Sequence, residues 1–179
     1  MLAGIMSIEK GNGRRRYIIL LTILLGLTLA VSAFLFLRTE KEIRRFEETF
    51  KLTLPKETSV IFSEDTHGSF GEGASLYIYQ LDTPGMGEFV SQPRLKEWLY
   101  LPITDKKMLK ELKSIVKGIS GTKISKEMNL DMQNGLVYVR NRYNSLPFNG
   151  YMRDEFYRNI IIGIVDIQKN KVYYYTSDM

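Results

Sequence analysis

The chain has 179 residues, a length that suits one folded domain together with a short additional segment. It contains no cysteine, which excludes disulfides, thiolate zinc sites, a cysteine nucleophile and a lipoprotein acylation site. The formal net charge is +5, but the first 16 residues carry +3 of it. The remaining 21 basic and 19 acidic residues leave only +2, so the charge does not favour a nucleic-acid-binding surface.

An uncharged apolar segment runs from Tyr17 to Leu37, and 14 of its 21 residues are Leu, Ile, Val or Phe. A helix of that length is roughly 31 Å long, which matches the hydrocarbon core of a bilayer. Its apolar side chains favour insertion by at most roughly 4–8 kcal/mol, and buried core helices are rarely so uniformly apolar. The segment therefore predicts a transmembrane helix that anchors the chain in a lipid bilayer.

A cleavable secretory signal is the alternative interpretation of this segment. Arg14–Arg16 would form its charged region, and Val31–Ala33 has the small-residue character of a cleavage site. Against cleavage, Phe34–Leu37 continues the apolar run beyond the point of the cut. An uncleaved anchor is therefore preferred, and cleavage after Ala33 stays open.

The charges beside the anchor indicate its orientation. Arg14, Arg15 and Arg16 directly precede it and end a basic tail formed by residues 1–16. Five basic residues follow within a comparable distance, but they are interleaved with glutamates, so the asymmetry depends mainly on the arginine triplet. The positive-inside rule then predicts a single-pass membrane protein with a cytoplasmic N-terminus and an extracytoplasmic C-terminal domain.

The first part of the domain predicts a helix and a β-hairpin. Residues 38–54 predict an amphipathic stalk helix, and residues 55–179 predict the extracytoplasmic domain. Residues 59–62 predict a strand, residues 63–73 a glycine-rich loop, and residues 75–81 a second strand. Because strand side chains alternate, one face would carry Leu76, Ile78 and Gln80, and the other Tyr77, Tyr79 and Leu81.

The second part predicts shorter elements around one strong helix. Pro84 begins a short helix that Pro93 ends or interrupts, and Thr104 is the predicted N-cap of an amphipathic helix over 105–119. The other predictions are an extended segment over 98–102, a strand over 136–139, a loop over 144–154, and a hairpin formed by 159–167 and 172–175. This pattern predicts an α+β fold: a transmembrane helix, then one domain with a mainly antiparallel sheet and two or three helices.

Several motifs follow one another in a consistent order along residues 58–175. They are Glu64-Asp65-Thr66-His67-Gly68, Trp98, Leu101-Pro102, Gly135-Leu136-Val137-Tyr138 and the closing NIIIGIVDIQKNKVYYY. In this order they resemble a group of uncharacterised small membrane or lipoprotein-like proteins of Gram-positive bacteria with a DTHG-type glycine-rich loop. Here Ser69 replaces a glycine of that loop, Gly71 stands at its second histidine, and Glu72 replaces an aspartate. The resemblance implies a shared fold and assigns no activity.

His67 is the only histidine of the chain, and it lies near Asp65 and Glu72 in the predicted loop. Since metal and acid–base sites need such groups to converge, all three are candidate ligand- or partner-binding residues, and Asp65 and His67 are candidate metal ligands. Alternatively, Asp65 and Thr66 shape the turn by bonding its backbone. The loop lacks the lysine and the following helix of a phosphate cradle, and no serine has a nucleophile motif. No catalytic residue and no cofactor is predicted.

Two surface features are further candidates for binding. Tyr173 and Tyr175 should lie on the opposite face of their strand from Tyr174, so one set packs in the core and the other is exposed. Tyr173 and Tyr175 are the candidate partner-binding pair. Five lysines between Lys106 and Lys117 line the polar side of the 105–119 helix, where they either attract anionic lipids or wall polymers or are simply solvated.

Together these features favour a membrane-anchored extracytoplasmic domain that binds a protein partner, a ligand or another envelope component. An immunity or envelope-stress protein is one version of this hypothesis. The first alternative is a metal-dependent factor or enzyme centred on the 63–73 loop. The second is a structural subunit of the cell envelope. The expected partners are the lipid bilayer, through residues 17–37, and an envelope component, with no nucleic acid.

Overall fold

The computed structural model describes residues 3–67, 73–119, 128, 130–141 and 159–178, except for the side chains of 3–16 and 118–119. Glu72 and the predicted loop over 144–154 therefore lie outside the described residues, as do the side chains of Arg14–Arg16. The chain divides into two compact units, Met1–Lys41 and Glu42–Met179. The N-terminal helix, α1 (Ala3–Phe50), contributes residues to both.

In the first unit, α1 is apolar enough to cross a membrane. Over Tyr17–Phe50, its most apolar stretch has a mean hydropathy of 2.7 and is 0% buried. The hydroxyl groups of Thr22 and Thr28 donate hydrogen bonds of 2.9 and 2.8 Å to the carbonyls of Ile18 and Leu25, so the helix satisfies its own polar groups. The predicted apolar helix is thus present, with the length and composition of a membrane span or of a signal sequence.

The second unit contains a six-stranded sheet in which every neighbouring pair of strands is antiparallel. The strands are β1 (Ser59–Asp65), β2 (Gly73–Gln80), β3 (Leu99–Leu101), β4 (Gly135–Asn141), β5 (Ile160–Asp166) and β6 (Lys171–Asp178). Their spatial order is β1-β2-β6-β5-β4-β3. Two further α-helices, α2 (Thr83–Val90) and α3 (Lys106–Ile119), accompany a short 3-10 helix over Pro93–Glu97. The α+β prediction and both hairpin predictions are confirmed. The predicted loop over 63–73 is too long, because Ser63–Asp65 continue β1 and Gly73 begins β2.

The sheet separates two apolar cores, one on each face. On one face, Leu76 and Ile78 pack with Leu112 and Ile115 of α3. On the other face, Tyr77 and Tyr79 belong to a second core that includes residues of α1 and α2. The alternation predicted for residues 75–81 is therefore confirmed. Helix α3 lies on one side of the sheet, and α2 and residues 42–50 of α1 lie on the other.

The core on the α1/α2 side is mainly aromatic. Phe46 is 0% exposed, and its ring centroid lies 4.8 Å from that of Phe50. Phe50 in turn lies 5.1 Å from Trp98, which stacks on Tyr138 at 5.4 Å. Residues 42–50 of the predicted stalk helix thus pack on the sheet. The helix ends at Phe50, and Lys51 follows with a φ of 56°, as in a left-handed C-cap.

The N-termini of α2 and α3 are capped by aspartates. The Asp82 carboxylate accepts a 2.8 Å hydrogen bond from the Gly85 backbone N–H at the start of α2. At the start of α3, the Asp105 carboxylate accepts from the backbone N–H groups of Lys107 and Met108, at 2.9 and 3.1 Å. The capping side chain of α3 is therefore Asp105 and not Thr104, because only Asp105 reaches the free N–H groups of the first turn.

Candidate functional site

Five strands of the sheet bring one residue each into a continuous row on the α1/α2 side. Asp65 pairs with Ser75, Ser75 with Thr176, Thr176 with Ile161, and Ile161 with Arg140. Neighbouring strands lie about 4.8 Å apart, so the row is roughly 19 Å long between its end Cα positions. We call these five residues the pocket row.

An open pocket of about 480 Å³ lies over the pocket row. Its other lining residues are Arg45, Glu48 and Thr49 of α1, with His67, Tyr77, Tyr174 and Asp178. The aromatic core ends at Tyr77 and Tyr174, and the next row of the sheet is mostly polar. Because that row offers little apolar surface for a helix to cover, the space above it stays open. Its volume lies in the range of small-molecule sites.

The end of the pocket at β1 is a network of charged and polar groups around Asp65. Arg45 Nη1 donates to Asp65 Oδ2 at 3.2 Å and to the hydroxyl of Tyr77 at 2.8 Å. His67 binds Asp65 Oδ1 twice, through its Nδ1 at 2.6 Å and its backbone N–H at 3.1 Å. The geometry therefore fixes the three charged or titratable side chains, Arg45, Asp65 and His67, relative to one another.

These contacts change the acidity of Asp65. Burial raises the pKa of this carboxyl, but the hydrogen bonds from the side chain and backbone of His67, and those from Arg45 and Ser75, lower it well below its usual range. Burial lowers the pKa of Arg45, while Tyr77 and Asp65 raise it to a net value above normal. At neutral pH, Asp65 is an anion and Arg45 is a cation.

The network does not have the geometry of a serine hydrolase. Ser75 Oγ lies 3.1 Å from His67 Nδ1, and this nitrogen also contacts Asp65 at 2.6 Å. In a catalytic triad, the serine and the carboxylate contact different nitrogens of the imidazole, so that one nitrogen takes the proton while the other is held. Ser75 is also 1% exposed. Ser75 and Asp65 therefore hold the His67 ring in position.

The candidate metal ligands Asp65 and His67 are adjacent, and their closest atoms form the 2.6 Å hydrogen bond. On the other side of the ring, His67 Nε2 lies 3.7 Å from Asp178 Oδ2. Among the described residues, no three histidine, cysteine, aspartate or glutamate side chains converge on a metal position. Asp65 and His67 thus contact each other directly and are not spread around a shared cation.

The end of the pocket at β4 has a different character. Arg140 Nη2 donates a 3.2 Å hydrogen bond to the carbonyl of Thr49. The side-chain hydroxyl of Thr49 in turn lies 3.1 Å from the hydroxyl of Tyr174. Arg140 Nε is buried and has no hydrogen-bond partner among the described residues. The two ends of the pocket thus differ: Arg45 is paired with a carboxylate, and Arg140 contacts a backbone carbonyl.

The structure brings together only some of the residues predicted from the sequence. Asp65 and His67 line the pocket, and Glu72 lies outside the described residues. Tyr173 and Tyr175 lie in the core on the α3 side, where they are 0% and 5% exposed, so this predicted pair provides no exposed surface. Because strand side chains alternate, the tyrosine of β6 that lines the pocket is Tyr174.

The residues that sequence reasoning missed are Arg45 and Arg140 and the serine, threonine and tyrosine side chains between them. One signal was present in the sequence: residues 174, 176 and 178 alternate towards one face of β6, where a tyrosine is followed by polar Thr176 and Asp178. The contact between β4 and α1 could not be predicted from local sequence patterns, because it joins Arg140 to Thr49, which are 91 residues apart.

Comparison of this chain with protein-family models, curated proteins and solved structures finds no match. Its function is therefore inferred from the pocket and the apolar helix.

Proposed function

We propose that this chain is a membrane-anchored binding protein whose extracytoplasmic domain holds a small polar ligand in the pocket over the pocket row. The observation that carries the proposal is the convergence of polar side chains from four strands and one helix on a pocket of about 480 Å³. Pockets of this size, with a few fixed polar groups, are typical of small-molecule sites.

The pocket is built for binding by its rigid surroundings. Its floor consists of paired strands, and its wall is a helix whose Phe46 and Phe50 are buried in the aromatic core. Asp65, His67 and Arg45 hold one another in position at the β1 end. Such preorganisation lowers the entropy lost on binding, because few side chains need to be ordered by the ligand.

The proposed anchor is the helix over Tyr17–Leu37. Its apolarity, and the absence of burial over its most apolar stretch, support a bilayer environment, and Arg14–Arg16 support a cytoplasmic N-terminus. The resemblance to Gram-positive membrane or lipoprotein-like proteins supports the same setting. On this proposal the domain captures its ligand at the outer surface of the membrane.

The experiment that tests this function is ligand retention. The full chain is extracted from producing cells into lipid nanodiscs, and small molecules bound to it are released and analysed by mass spectrometry. Thr176 lies in the middle of the pocket row, so the side chain introduced by T176W would occupy the centre of the pocket. The control is K117W, which places the same side chain at an exposed position of α3, on the opposite side of the sheet.

Wild type and K117W should release the same compound, and T176W should release none. Retention of the compound by T176W, in a protein that melts like wild type, would contradict the proposal. The absence of any specific compound from wild-type protein prepared in this way would contradict it as well.

A further inference from the structure

Arg140 differs from Arg45 in how its charge is satisfied. Arg45 contacts the carboxylate of Asp65 at 3.2 Å. Among the described residues, the only hydrogen-bond acceptor of the Arg140 guanidinium is the Thr49 carbonyl, and no carboxylate lies within ion-pair distance. Its Nε is buried without a partner among the same residues. A partly buried arginine with no carboxylate partner and an unsatisfied Nε is unusual, since buried donors without acceptors lower stability.

Arg140 contributes to the lining of the pocket. Arg140 is half-buried and lines the pocket beside Thr49 and Tyr174, whose hydroxyl groups contact each other at 3.1 Å. Its neighbour in the pocket row is Ile161, which is 4% exposed and offers no hydrogen-bonding group from its side chain. Among the described residues, Arg140 thus forms no ion pair, although the carboxylates of Glu48, Asp65 and Asp178 line the same pocket.

We infer that Arg140 is the anion-binding residue of the pocket, and that the ligand carries a carboxylate or phosphate group at this end. The inference rests on the proposed binding function and specifies the chemistry of its ligand. An oxyanion in the pocket would accept hydrogen bonds from the terminal N–H groups of the guanidinium, for which arginine is suited. The Arg45 end is less suited to this purpose, because the Arg45 cation is already paired with the Asp65 carboxylate.

Two sources can supply such an anion: a soluble molecule, or the headgroup of an anionic lipid. Both are tested with the full chain in phosphatidylcholine nanodiscs. In one arm, inorganic phosphate or acetate is added at constant ionic strength, with chloride as the reference. In the other arm, phosphatidylglycerol replaces part of the phosphatidylcholine. The readout is the melting temperature of the domain, because a ligand that binds the folded state stabilises it.

The variants are R140Q and the control R94Q, which removes one exposed positive charge from the 3-10 helix outside the pocket. The melting temperature of wild type and R94Q should rise with the anion in one of the arms, and that rise should be lost in R140Q. The arm that shows the rise identifies the source. An equal rise in R140Q, or no rise in either arm, would overturn the assignment.

A second measurement needs no destabilising substitution. In nitrogen-15 spectra of the wild-type arginine side chains, the Nε–H signal of Arg140, identified by its loss in R140K, should shift when phosphate or acetate binds. The signal of Arg94 should not shift. Equal shifts of both signals would indicate a general ionic effect and overturn the inference.

Failure of this inference can be told apart from failure of the proposed function. If R140Q retains the native compound as tightly as wild type does, the anion assignment is wrong and the pocket remains the binding site. If phosphate stabilises the domain through Arg140 while no compound is retained by wild type, the anion site stands and the proposed function fails.

Discussion

The indole ring of Trp98 packs directly on the backbone of Gly163, so closely that a Cβ atom at position 163 would overlap Cη2 and Cζ3 of the ring. Phe50 approaches the same position from α1, with its Cζ 3.0 Å from where that Cβ would lie. Gly163 is the neighbour of Tyr174 in the sheet and lies two residues from Ile161 of the pocket row. The close packing of the Trp98 and Phe50 rings on β5 therefore requires glycine at position 163.

This contact predicts that Gly163→Ala destabilises the domain. The added methyl group would have to displace two rings that are themselves packed, and such overpacking costs about 1–3 kcal/mol. The matched control is Gly87→Ala in α2, where a Cβ would meet nothing within 4 Å. Because alanine favours helices, that change should be neutral or stabilising by about 0.5–1 kcal/mol. Urea unfolding of both variants measures the difference, and equal stability of the two would contradict the described packing.

The end of α1 is predicted to be part of the folded domain. Phe46 is 0% exposed and its ring lies within 6.0 Å of four other aromatic rings, so Phe46→Ala should lower the free energy of unfolding by about 3–5 kcal/mol. Phe36 is 64% exposed in the apolar part of the helix, and Phe36→Ala should leave the unfolding of the domain unchanged. If both variants unfolded like wild type, residues 42–50 would be a stalk and not a core element.

Asp65 is predicted to make stability depend on pH. Its pKa in the folded chain lies below that of the unfolded chain, so on acidification the unfolded chain takes up this proton first. The stabilising contribution is therefore complete above the unfolded value, at about pH 4, and is lost as the pH falls from there towards the folded value.

The measurement is the urea midpoint of wild type and Asp65→Asn between about pH 6 and about pH 3. Wild type should lose more stability than the variant over this interval, because asparagine has no carboxyl to protonate. Parallel curves for the two proteins would show that the network around Asp65 contributes no pH dependence.

The membrane proposal predicts an intact chain of 20.8 kDa that stays with the membrane fraction after an alkaline wash. A protease added to intact cells should degrade the C-terminal domain, because it is proposed to lie outside. Replacing Arg14, Arg15 and Arg16 by glutamine should reduce the fraction of domain that is accessible. A measured mass that corresponds to a chain beginning at Phe34 would contradict the anchor. Degradation of the domain only after the cells are lysed would contradict the orientation.

Much of the fold could be predicted from the sequence, because alternation and turn residues are local signals. The two faces of β2 and the separation of Tyr174 from Tyr173 and Tyr175 follow from strand geometry alone. Strand geometry alone does not show which of these faces lines the pocket. Both faces of β6 are covered by helices over most of their length, and the pocket opens only beyond Tyr174.

The site itself depends on long-range register. Asp65 and Arg140 lie at the two ends of one row only because four strand pairings align them, and each pairing joins residues that are separate in sequence. Arg45 reaches Asp65 because α1 packs on the sheet. Local patterns identified Asp65 and His67 as unusual, but they contain no information about the two arginines.

The most direct test of the central claim is a crystal structure of the full chain, purified with the compound that it retains. We predict electron density for that compound over the pocket row, in contact with Thr176 and with an oxyanion of the compound on the Arg140 guanidinium. Density for the compound elsewhere on the domain, with only solvent above the pocket row, would contradict it.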